Sequence, residues 1–434
     1  MASLSALPQE LASQVLQLLG VGDKISLSAT CKNWRARLAA DVFKTIRLTN
    51  EERVAQSVLS AVEAHGQYTT SIEFESHCGL SVEINPPALP PPAVKVLQGH
   101  LTPNLKTVSV RFGFENNNGE AWDAFEGGSI WVSQDAETEE YIREREGAWH
   151  WRALMNETWR ALAANMHVRE LIIDECVAKW TSTFRSQEFR QFLSRLESAS
   201  FNFLDLDKIG GSMANTMVGY KEFLSDLDNS FFHHMTQLKH LTIVASDPIG
   251  LEGPNYTPLA LKPGDLPLLE SLKIRRCFVG PELVSFIQGH TRILKSLDIR
   301  DCVSGGIIDP ADNTSADYDW ADNGMTWTEF FDAVYKAEPA LTELKAGISY
   351  LRDEGELEPD YRFEDEPETF REIRRKLKAD PSLRWLAYGH IDHKYGSLLL
   401  DDETNEEQFE SGNDQRAFNR LMGLVNENVT KAKQ

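Results

Sequence analysis

The chain has 434 residues, a net charge of −22, 41% hydrophobic residues and 25% charged residues. This composition is typical of an ordinary globular protein, and the length predicts two or three domains. The negative charge disfavours binding to nucleic acid or to an anionic membrane, both of which repel an acidic surface. Because the sequence has neither a membrane-length apolar run nor a signal-peptide pattern, we expect an intracellular protein, cytoplasmic and/or nuclear.

The first forty residues predict three short helices. Pro8 suits the first turn of a helix, and the apolar residues after it recur at helical spacing. We expect Gly20 and Gly22 to end this helix as left-handed caps, Asp23 to cap a second helix, and a third helix to run through Trp34. Three helices of this size cannot bury a core alone, so leftover apolar surface indicates a partner. The alternative is an ordinary helical cap on the domain that follows.

The residues in this stretch also follow a known order, Leu-Pro-x-Glu-Leu-x-x-x-Val-Leu-x-x-Leu and then Asp-x-x-Ser-Leu-x-x-x-Cys-x-x-Trp-Arg. The matching residues are Leu7, Pro8, Glu10, Leu11, Val15, Leu16, Leu19, Asp23, Ser26, Leu27, Cys31, Trp34 and Arg35. The pattern resembles an F-box, which we assign to residues 1–42. The resemblance implies docking on the small adaptor subunit of an SCF (cullin-RING) ubiquitin ligase, while the rest of the chain holds the substrate.

The adaptor contacts that this resemblance implies form an apolar stripe. They are Leu7, Pro8, Leu11, Val15, Leu16, Leu27 and Trp34. We expect Leu7, Leu16 and Leu27 to matter most, because central buried anchors usually dominate an interface.

After the F-box, strands are predicted at 43–48 and 71–74, with a helix between them. A sequence pattern, which we call the apolar phrase, then recurs: an apolar residue, two spacer residues, an apolar residue, one spacer residue and an apolar residue. Seven copies begin at Leu105, Val168, Leu196, Leu238, Leu269, Leu294 and Leu341. The phrase resembles the strand half of a leucine-rich repeat, in which neighbouring repeats bury one another's leucines. Helical patterns lie between copies, at 186–196, 220–235, 281–291 and 325–337. We therefore predict an α/β fold in which residues 43–350 form an irregular leucine-rich-repeat-like solenoid. For any single copy, an isolated strand beside a helix is the alternative.

The spacer positions of the phrase are expected to point outward and to form the substrate-binding face. They are Thr107, Ser109, Glu170, His240, Thr242, Ser271, Lys273, Arg275, Ser296, Asp298 and Arg300. Their mixture of charges indicates a peptide or protein surface rather than a small apolar ligand.

Long insertions at 112–150 and 303–324 interrupt the repeats. The second insertion is rich in aspartate, but its spacing does not fit a calcium-binding EF-hand loop. Residues 85–93 are rich in proline and are expected to form an extended connector without helix. Residues 351–434 are predicted to be an acidic closing region, with a basic helix at 370–378, a hairpin within 383–400 and a final helix at 414–429.

No motif for catalysis or metal binding is found. The five cysteines form no Cys-x-x-Cys pair, and they predict reduced, mostly buried thiols. His233-His234 and His390-x-x-His393 lack further ligands at a suitable spacing. In SCF ligases the thioester belongs to the conjugating enzyme, and the receptor contributes proximity.

The sequence therefore predicts a non-enzymatic substrate receptor with no metal and no cofactor. Its expected partners are the adaptor, cullin through the adaptor, and an unknown protein substrate. Two alternatives remain open: an F-box scaffold that acts outside the ligase, and an enzyme with a site in the long insertions.

Overall fold

The structure is a computed structural model that describes residues 9–78, 87–114, 137–203, 213–245, 248–305, 318–319, 321, 323–348, 368–392 and 394–434. These residues form a mixed α/β protein with helices first and a largely parallel sheet after them. The predicted α/β class is confirmed at this level. Within these ranges, no helix combines the length and the hydropathy needed to cross a membrane.

Strands and helices are numbered here in chain order. The strands are β1 (Thr45–Thr49), β2 (Ser71–Cys78), β3 (Thr107–Phe114), β4 (Glu170–Cys176), β5 (Ser198–Phe203), β6 (His240–Val244), β7 (Ser271–Arg275), β8 (Phe278–Val279), β9 (Ser296–Arg300), β10 (Val303–Ser304), β11 (Tyr318–Asp319), β12 (Glu343–Gly347), β13 (Ala387–Asp392) and β14 (Leu398–Leu400). The helices are α1 (Gln9–Leu18), α2 (Val21–Thr30), α3 (Lys32–Val42), α4 (Glu52–His65), α5 (Pro91–Leu97), α6 (Glu139–Ala148), α7 (His150–Ala163), α8 (Gln187–Leu193), α9 (Val218–Ser225), α10 (Leu227–Ser230), α11 (Pro281–Gly289), α12 (Trp327–Lys336), α13 (Glu368–Ala379), α14 (Asp402–Ser411) and α15 (Asn413–Ala432).

Nine strands form one sheet in chain order, β1-β2-β3-β4-β5-β6-β7-β9-β12. Every neighbouring pair is parallel. The seven copies of the apolar phrase supply β3 to β7, β9 and β12, so their prediction as strands is confirmed. Strands β1 and β2 coincide with the two earlier predictions. Parallel neighbours need a crossover connection, and helices provide most of these crossovers.

Two apolar rows run across the buried side of this sheet. The first is Ile46, Ile72, Val108, Leu171, Ala199, Leu241, Leu272, Leu297 and Leu344, and the second is Leu48, Phe74, Val110, Ile173, Phe201, Ile243, Ile274, Ile299 and Ala346. Burial of each large aliphatic or aromatic side chain contributes about 1.5–3 kcal/mol. A strand of five residues cannot cover its own apolar side, so the rows explain why the strands are stable together.

A residue with positive φ followed by a buried cysteine recurs at the ends of three strands. The pairs are Glu175-Cys176, the last two residues of β4, and Arg276-Cys277 and Asp301-Cys302, which directly follow β7 and β9. The first residue of each pair has a positive φ of 50°, 52° or 59°. The three thiols are buried, and burial raises the pKa of Cys176 and Cys302 to about 12. These cysteines are therefore inert packing groups, because the thiolate is the reactive form.

The predicted helix at 220–235 is broken into α9, α10 and a 3-10 turn. Phe231 has a non-helical backbone, with φ −127° and ψ −65°. Neighbouring residues of a continuous helix point about 100° apart. The break therefore lets Phe231 and Phe232 both enter the core, where each is at most 2% exposed.

The prediction that the proline-rich segment is an extended connector without helix is wrong, because part of the segment is helical. Pro90 is extended, and α5 begins directly after it with Pro91 and Pro92 in its first turn. The first N–H groups of a helix have no carbonyl partner, so proline loses no hydrogen bond there. Residues 85 and 86 lie outside the described residues.

The C-terminal region packs against the end of the sheet. Strands β13 and β14 pair antiparallel, which confirms the predicted hairpin, and α15 packs on α12 and β12. The Tyr388 hydroxyl donates to Asp414 Oδ2 (2.8 Å) and accepts from the Trp327 backbone N–H (3.1 Å). These buried hydrogen bonds tie β13, α15 and α12 together.

Candidate functional site

The first candidate surface is an apolar face on the two N-terminal helices, which we name the α1–α2 face. It consists of Leu18, 87% exposed, Val21, 62% exposed, and Leu11 and Ile25, each 49% exposed. Leu11 and Leu18 are two turns apart on α1, and Val21 and Ile25 are one turn apart on α2. Clustered exposed aliphatic side chains are typical of an interaction site.

The helix junction that presents this face differs from the expected one. Gly20, predicted as a left-handed cap of α1, is extended (φ −65°, ψ 163°) and is the N-cap of α2, while Gly22 lies inside α2. Asp23 is therefore a first-turn residue rather than the cap. Its negative charge interacts favourably with the positive end of the helix dipole. Only two residues separate the end of α1 at Leu18 from the start of α2 at Val21.

The predicted adaptor contacts divide into an outer and an inner group. Leu7 and Pro8 lie outside the described residues. Leu11 is exposed and Val15 is half-buried on α1, so both are available at the surface. The sequence prediction did not include Leu18, Val21 and Ile25 as contacts, although Leu18 continues the helical stripe of Leu11 and Val15.

The inner group forms the small core of the three helices. Trp34 and Leu38 are buried, and Leu16, Leu27 and Val42 pack against them half-buried. Trp34 is only 4% exposed, so in this conformation it offers almost no surface to a partner. The indole instead holds α1 and α2 against α3. A contact role for Leu16 and Leu27 stays a prediction.

A short joint connects the helices to the sheet. Phe43 stacks on His65 with 4.2 Å between ring centroids, and the Thr69 hydroxyl donates to the Phe43 carbonyl oxygen (3.0 Å). An ion pair of 2.8 Å between Lys24 Nζ and Asp41 Oδ2 joins α2 to α3. The α1–α2 face is thus fixed by contacts on its inner side.

The second candidate surface is the outward side of the sheet, which we name the strand face. All eleven predicted substrate-binding residues lie on it, in β3, β4, β6, β7 and β9. Thr107, Glu170, His240, Ser271 and Ser296 lie in one row of the strand register. Ser109, Thr242, Lys273 and Asp298 lie in the next row. Arg275 and Arg300 lie at the following outward positions of β7 and β9. All but Asp298 are at least partly exposed, and their role in binding stays a prediction.

Asp298 is 8% exposed and holds two arginines in place. Arg275 donates to both carboxylate oxygens, from Nη1 at 2.6 Å and from Nη2 at 2.8 Å. Arg300 donates from Nε at 3.1 Å and from Nη2 at 2.8 Å. Burial raises the pKa of Asp298, but the hydrogen bonds of Arg300 and Arg275 outweigh it and hold the pKa well below its usual value. The carboxylate is therefore charged at neutral pH.

The opposite end of the strand face carries other ion pairs that the sequence prediction did not single out. Arg111 contacts Glu175 and lies 3.6 Å from Glu75, and Arg47 Nε lies 3.0 Å from Glu73 Oε2. Between the two ends, the second row contains the uncharged side chains Ser109, Ile172, Ser200 and Thr242. The second row of the strand face is thus uncharged between its two ends.

A buried charge cluster lies apart from both surfaces. Arg152 donates to both Glu137 oxygens (3.2 and 3.1 Å), and Lys179 Nζ lies 3.5 Å from Glu137 Oε1. Burial lowers the pKa of Lys179 to about 8, against the attraction of Glu137. Burial raises the pKa of Glu137, but Arg152 and Lys179 outweigh this effect and lower it. The cluster fixes Glu137 against α7 and against the segment that follows β4.

The described ranges contain histidine and carboxylate groups, which are of the kind that can hold a metal ion. No group of three or more His, Cys, Asp or Glu side chains there is placed to hold a metal ion. His233 Nδ1 lies 3.0 Å from Asp265 Oδ1, while His393 lies outside the described residues. The larger parts of the insertions 112–150 and 303–324 also lie outside them, so an enzymatic site in the insertions stays untested.

Comparison with known proteins identifies the N-terminal helices. Residues 4–44 match the family model described as the F-box domain. No curated protein matches the chain. The chain therefore carries an F-box domain, which comprises α1 to α3 and the α1–α2 face. F-box domains typically bind an adaptor subunit.

Proposed function

We propose that the protein is a non-enzymatic substrate receptor of an SCF-type ubiquitin ligase. Its F-box docks on the adaptor, and through the adaptor on cullin, while the strand face binds the protein to be ubiquitinated. The observation that carries this proposal is the α1–α2 face, because four large aliphatic side chains are exposed inside the residues that match the F-box. Binding a substrate beside an activated thioester makes ubiquitin transfer effectively intramolecular, which requires no catalytic residue in the receptor.

The proposal includes a divergent leucine-rich-repeat solenoid for residues 43–350. It is supported by nine parallel strands in chain order, by the two apolar rows, and by the pairs of a positive-φ residue and a buried cysteine at the ends of β4, β7 and β9. A solenoid leaves a continuous strand face for a protein partner. The proposal also includes an intracellular location, cytoplasmic and/or nuclear. It is supported by the free thiols of Cys31, Cys176, Cys277 and Cys302, which are usual in a reducing compartment.

Adaptor binding is tested by pull-down of the purified adaptor with the full chain. Leu18→Asp combined with Val21→Asp places two charges in the interface, and we expect roughly a hundredfold weaker binding or more, because each anchor contributes about 1.5–3 kcal/mol. The matched control is Met166→Asp combined with Leu268→Asp, at two exposed apolar positions outside the F-box. Equal binding by both variants would contradict the proposal.

Receptor function is tested separately from docking. Proteins captured by the strand face are identified by proximity labelling, and their half-lives are measured after depletion of the chain. We expect the half-lives to lengthen, and the docking-deficient double variant should not restore turnover. Unchanged half-lives combined with intact adaptor binding would favour the scaffold alternative.

A further inference from the structure

The strand face carries a basic patch at one end, although the chain as a whole has a net charge of −22. The patch consists of Lys273 and Arg275 on β7, Arg300 on β9 and Lys345 on β12. In the strand register, Asp298 faces Lys273 on one side and Lys345 on the other. Adjacent strands are about 4.8 Å apart, so the two lysine backbones lie about 10 Å apart. In the second and third outward positions of these three strands, four cations thus surround one carboxylate.

That carboxylate is largely buried, whereas Arg300 and Lys345 reach the surface. The Asp298 side chain is 11% exposed and the Arg275 side chain 13%, but the Arg300 side chain is 41% exposed and the Lys345 side chain 45%. Arg275 also donates to the Arg300 carbonyl oxygen (3.1 Å), and its Nε lies 3.7 Å from Asp301 Oδ2. Arg275 is therefore a fixed inner group, and Arg300 presents the remaining face of its guanidinium outward.

The two lysines are free to take a new partner. Lys273 forms no ion pair with any residue of the described ranges. Lys345 pairs with Glu343 at 2.6 Å, but both side chains are nearly half exposed, and such a pair contributes only about 0–1 kcal/mol. A carboxylate from another molecule can replace Glu343 at little cost.

Long-range repulsion from the acidic chain does not prevent this contact. The Debye length is about 8 Å at physiological ionic strength, so distant charges are screened while the patch acts at short range. Charge complementarity at a surface of this kind fixes which partner segment lies where.

We propose that the basic patch binds an acidic polypeptide segment, rich in Glu or Asp, of the protein that the chain recruits. This inference rests on the proposed function in taking the strand face as the substrate surface. Recognition occurs through Lys273, Arg300 and Lys345, and Asp298 holds Arg275 and Arg300 in the required positions.

The probe is a fluorescently labelled twelve-residue peptide of alternating Glu and Gly, titrated with the full chain. Control peptides have Gln or Lys in place of Glu. Lys273→Glu combined with Lys345→Glu should bind the Glu peptide roughly tenfold more weakly and the Lys peptide more tightly than the unmodified chain does. The gain for the Lys peptide shows that the variant is folded. A matched control with the same change in charge is Lys376→Glu combined with Lys431→Glu, at two exposed lysines on other elements.

Equal binding of the Glu and Gln peptides, or equal weakening by both double variants, would overturn the inference. Adaptor pull-down with the same proteins separates it from the proposed function. If the adaptor does not bind but the Glu peptide still requires Lys273 and Lys345, the ligase role fails and the acidic-segment site stands. If the adaptor binds and the Glu peptide does not, the acidic-segment site fails and the proposed adaptor docking stands.

Discussion

The F-box helices and the nine-stranded sheet differ in how completely their apolar side chains are buried. In the sheet, Leu272 and Leu297 are fully buried between neighbouring strands and crossover helices. In the F-box, the small core around Trp34 and Leu38 is covered, while Leu18 and Val21 remain at the surface. The sheet therefore takes its stability from the chain itself. The F-box leaves part of its apolar surface exposed, as the proposed docking on an adaptor requires, and the following variants test this difference.

The largest effect is expected for Trp34→Ala in the F-box core. Removal of a buried Trp side chain costs about 3–5 kcal/mol. Because the cluster around Trp34 is separate from the core of the sheet, the loss should be local. Hydrogen exchange should accelerate in α1 to α3 and stay unchanged in β3 to β9, and adaptor binding should be lost. Faster exchange throughout the sheet would show that the two regions unfold as one unit.

The second test compares two leucines that differ in burial. Leu297→Ala should lower the free energy of unfolding by about 2–5 kcal/mol, because it leaves a cavity in the apolar rows. Leu18→Ala should change it by less than about 0.5 kcal/mol, because the side chain is exposed. Urea denaturation measures both. Adaptor affinity should show the opposite ranking, and a destabilising Leu18→Ala would contradict the comparison.

The third test addresses the charged end of the strand face. Asp298→Asn should lower the free energy of unfolding at pH 7 by about 1–3 kcal/mol, since two arginines lose a charged acceptor. The folded pKa of Asp298 is lowered, so the stabilisation is present above about pH 4 and is lost as the pH falls through the folded value. The difference between the two proteins should therefore shrink on acidification. A constant difference between pH 7 and pH 2 would exclude this cause.

The last test addresses the buried cluster of Glu137, Arg152 and Lys179. Burial lowers the pKa of Lys179 to about 8, below its ordinary 10.5. Between these values the unfolded chain binds more protons, so the free energy of unfolding should increase as the pH rises from about 8 to 10.5. In Lys179→Met this increase should be absent, which denaturation at several pH values measures. A matched Lys378→Met variant on α13 should retain it.

The sheet was predictable because its information is local. Each strand carries its own apolar phrase, and the phrase marks both the strand and the side that is buried, as at Leu294, Leu297 and Ile299. The signal was present beyond the copies recognised, since Phe43, Ile46 and Leu48 follow the same spacing in β1. The same Ile-x-x-Cys sequence at the ends of β4, β7 and β9 is also readable from the sequence.

The details of the surfaces depend on pairings between distant residues, which a single sequence does not specify. Arg111 and Glu175 are 64 positions apart, and Arg275 and Asp298 are 23 apart, so only the strand register brings them together. In the F-box the motif indicated which residues matter but not which way they point. Trp34 proved to be inside, while Val21 and Ile25 lie at the surface. The helix after Pro90 was missed because the prolines lie in the first turn, where they do not break a helix.

The joint at Phe43 has a consequence for where a client is held. Helix α3 ends at Val42 and β1 begins at Thr45, so there is no loose tether between the docking domain and the sheet. Each strand of the sheet is displaced by about 4.8 Å from the next, so the strands lie at increasing distance from the F-box. A client seated on β9 is displaced by about 34 Å from one seated on β1. Under the proposed receptor function, the strand that a client occupies would therefore set which of its lysines come within reach of the transferring enzyme.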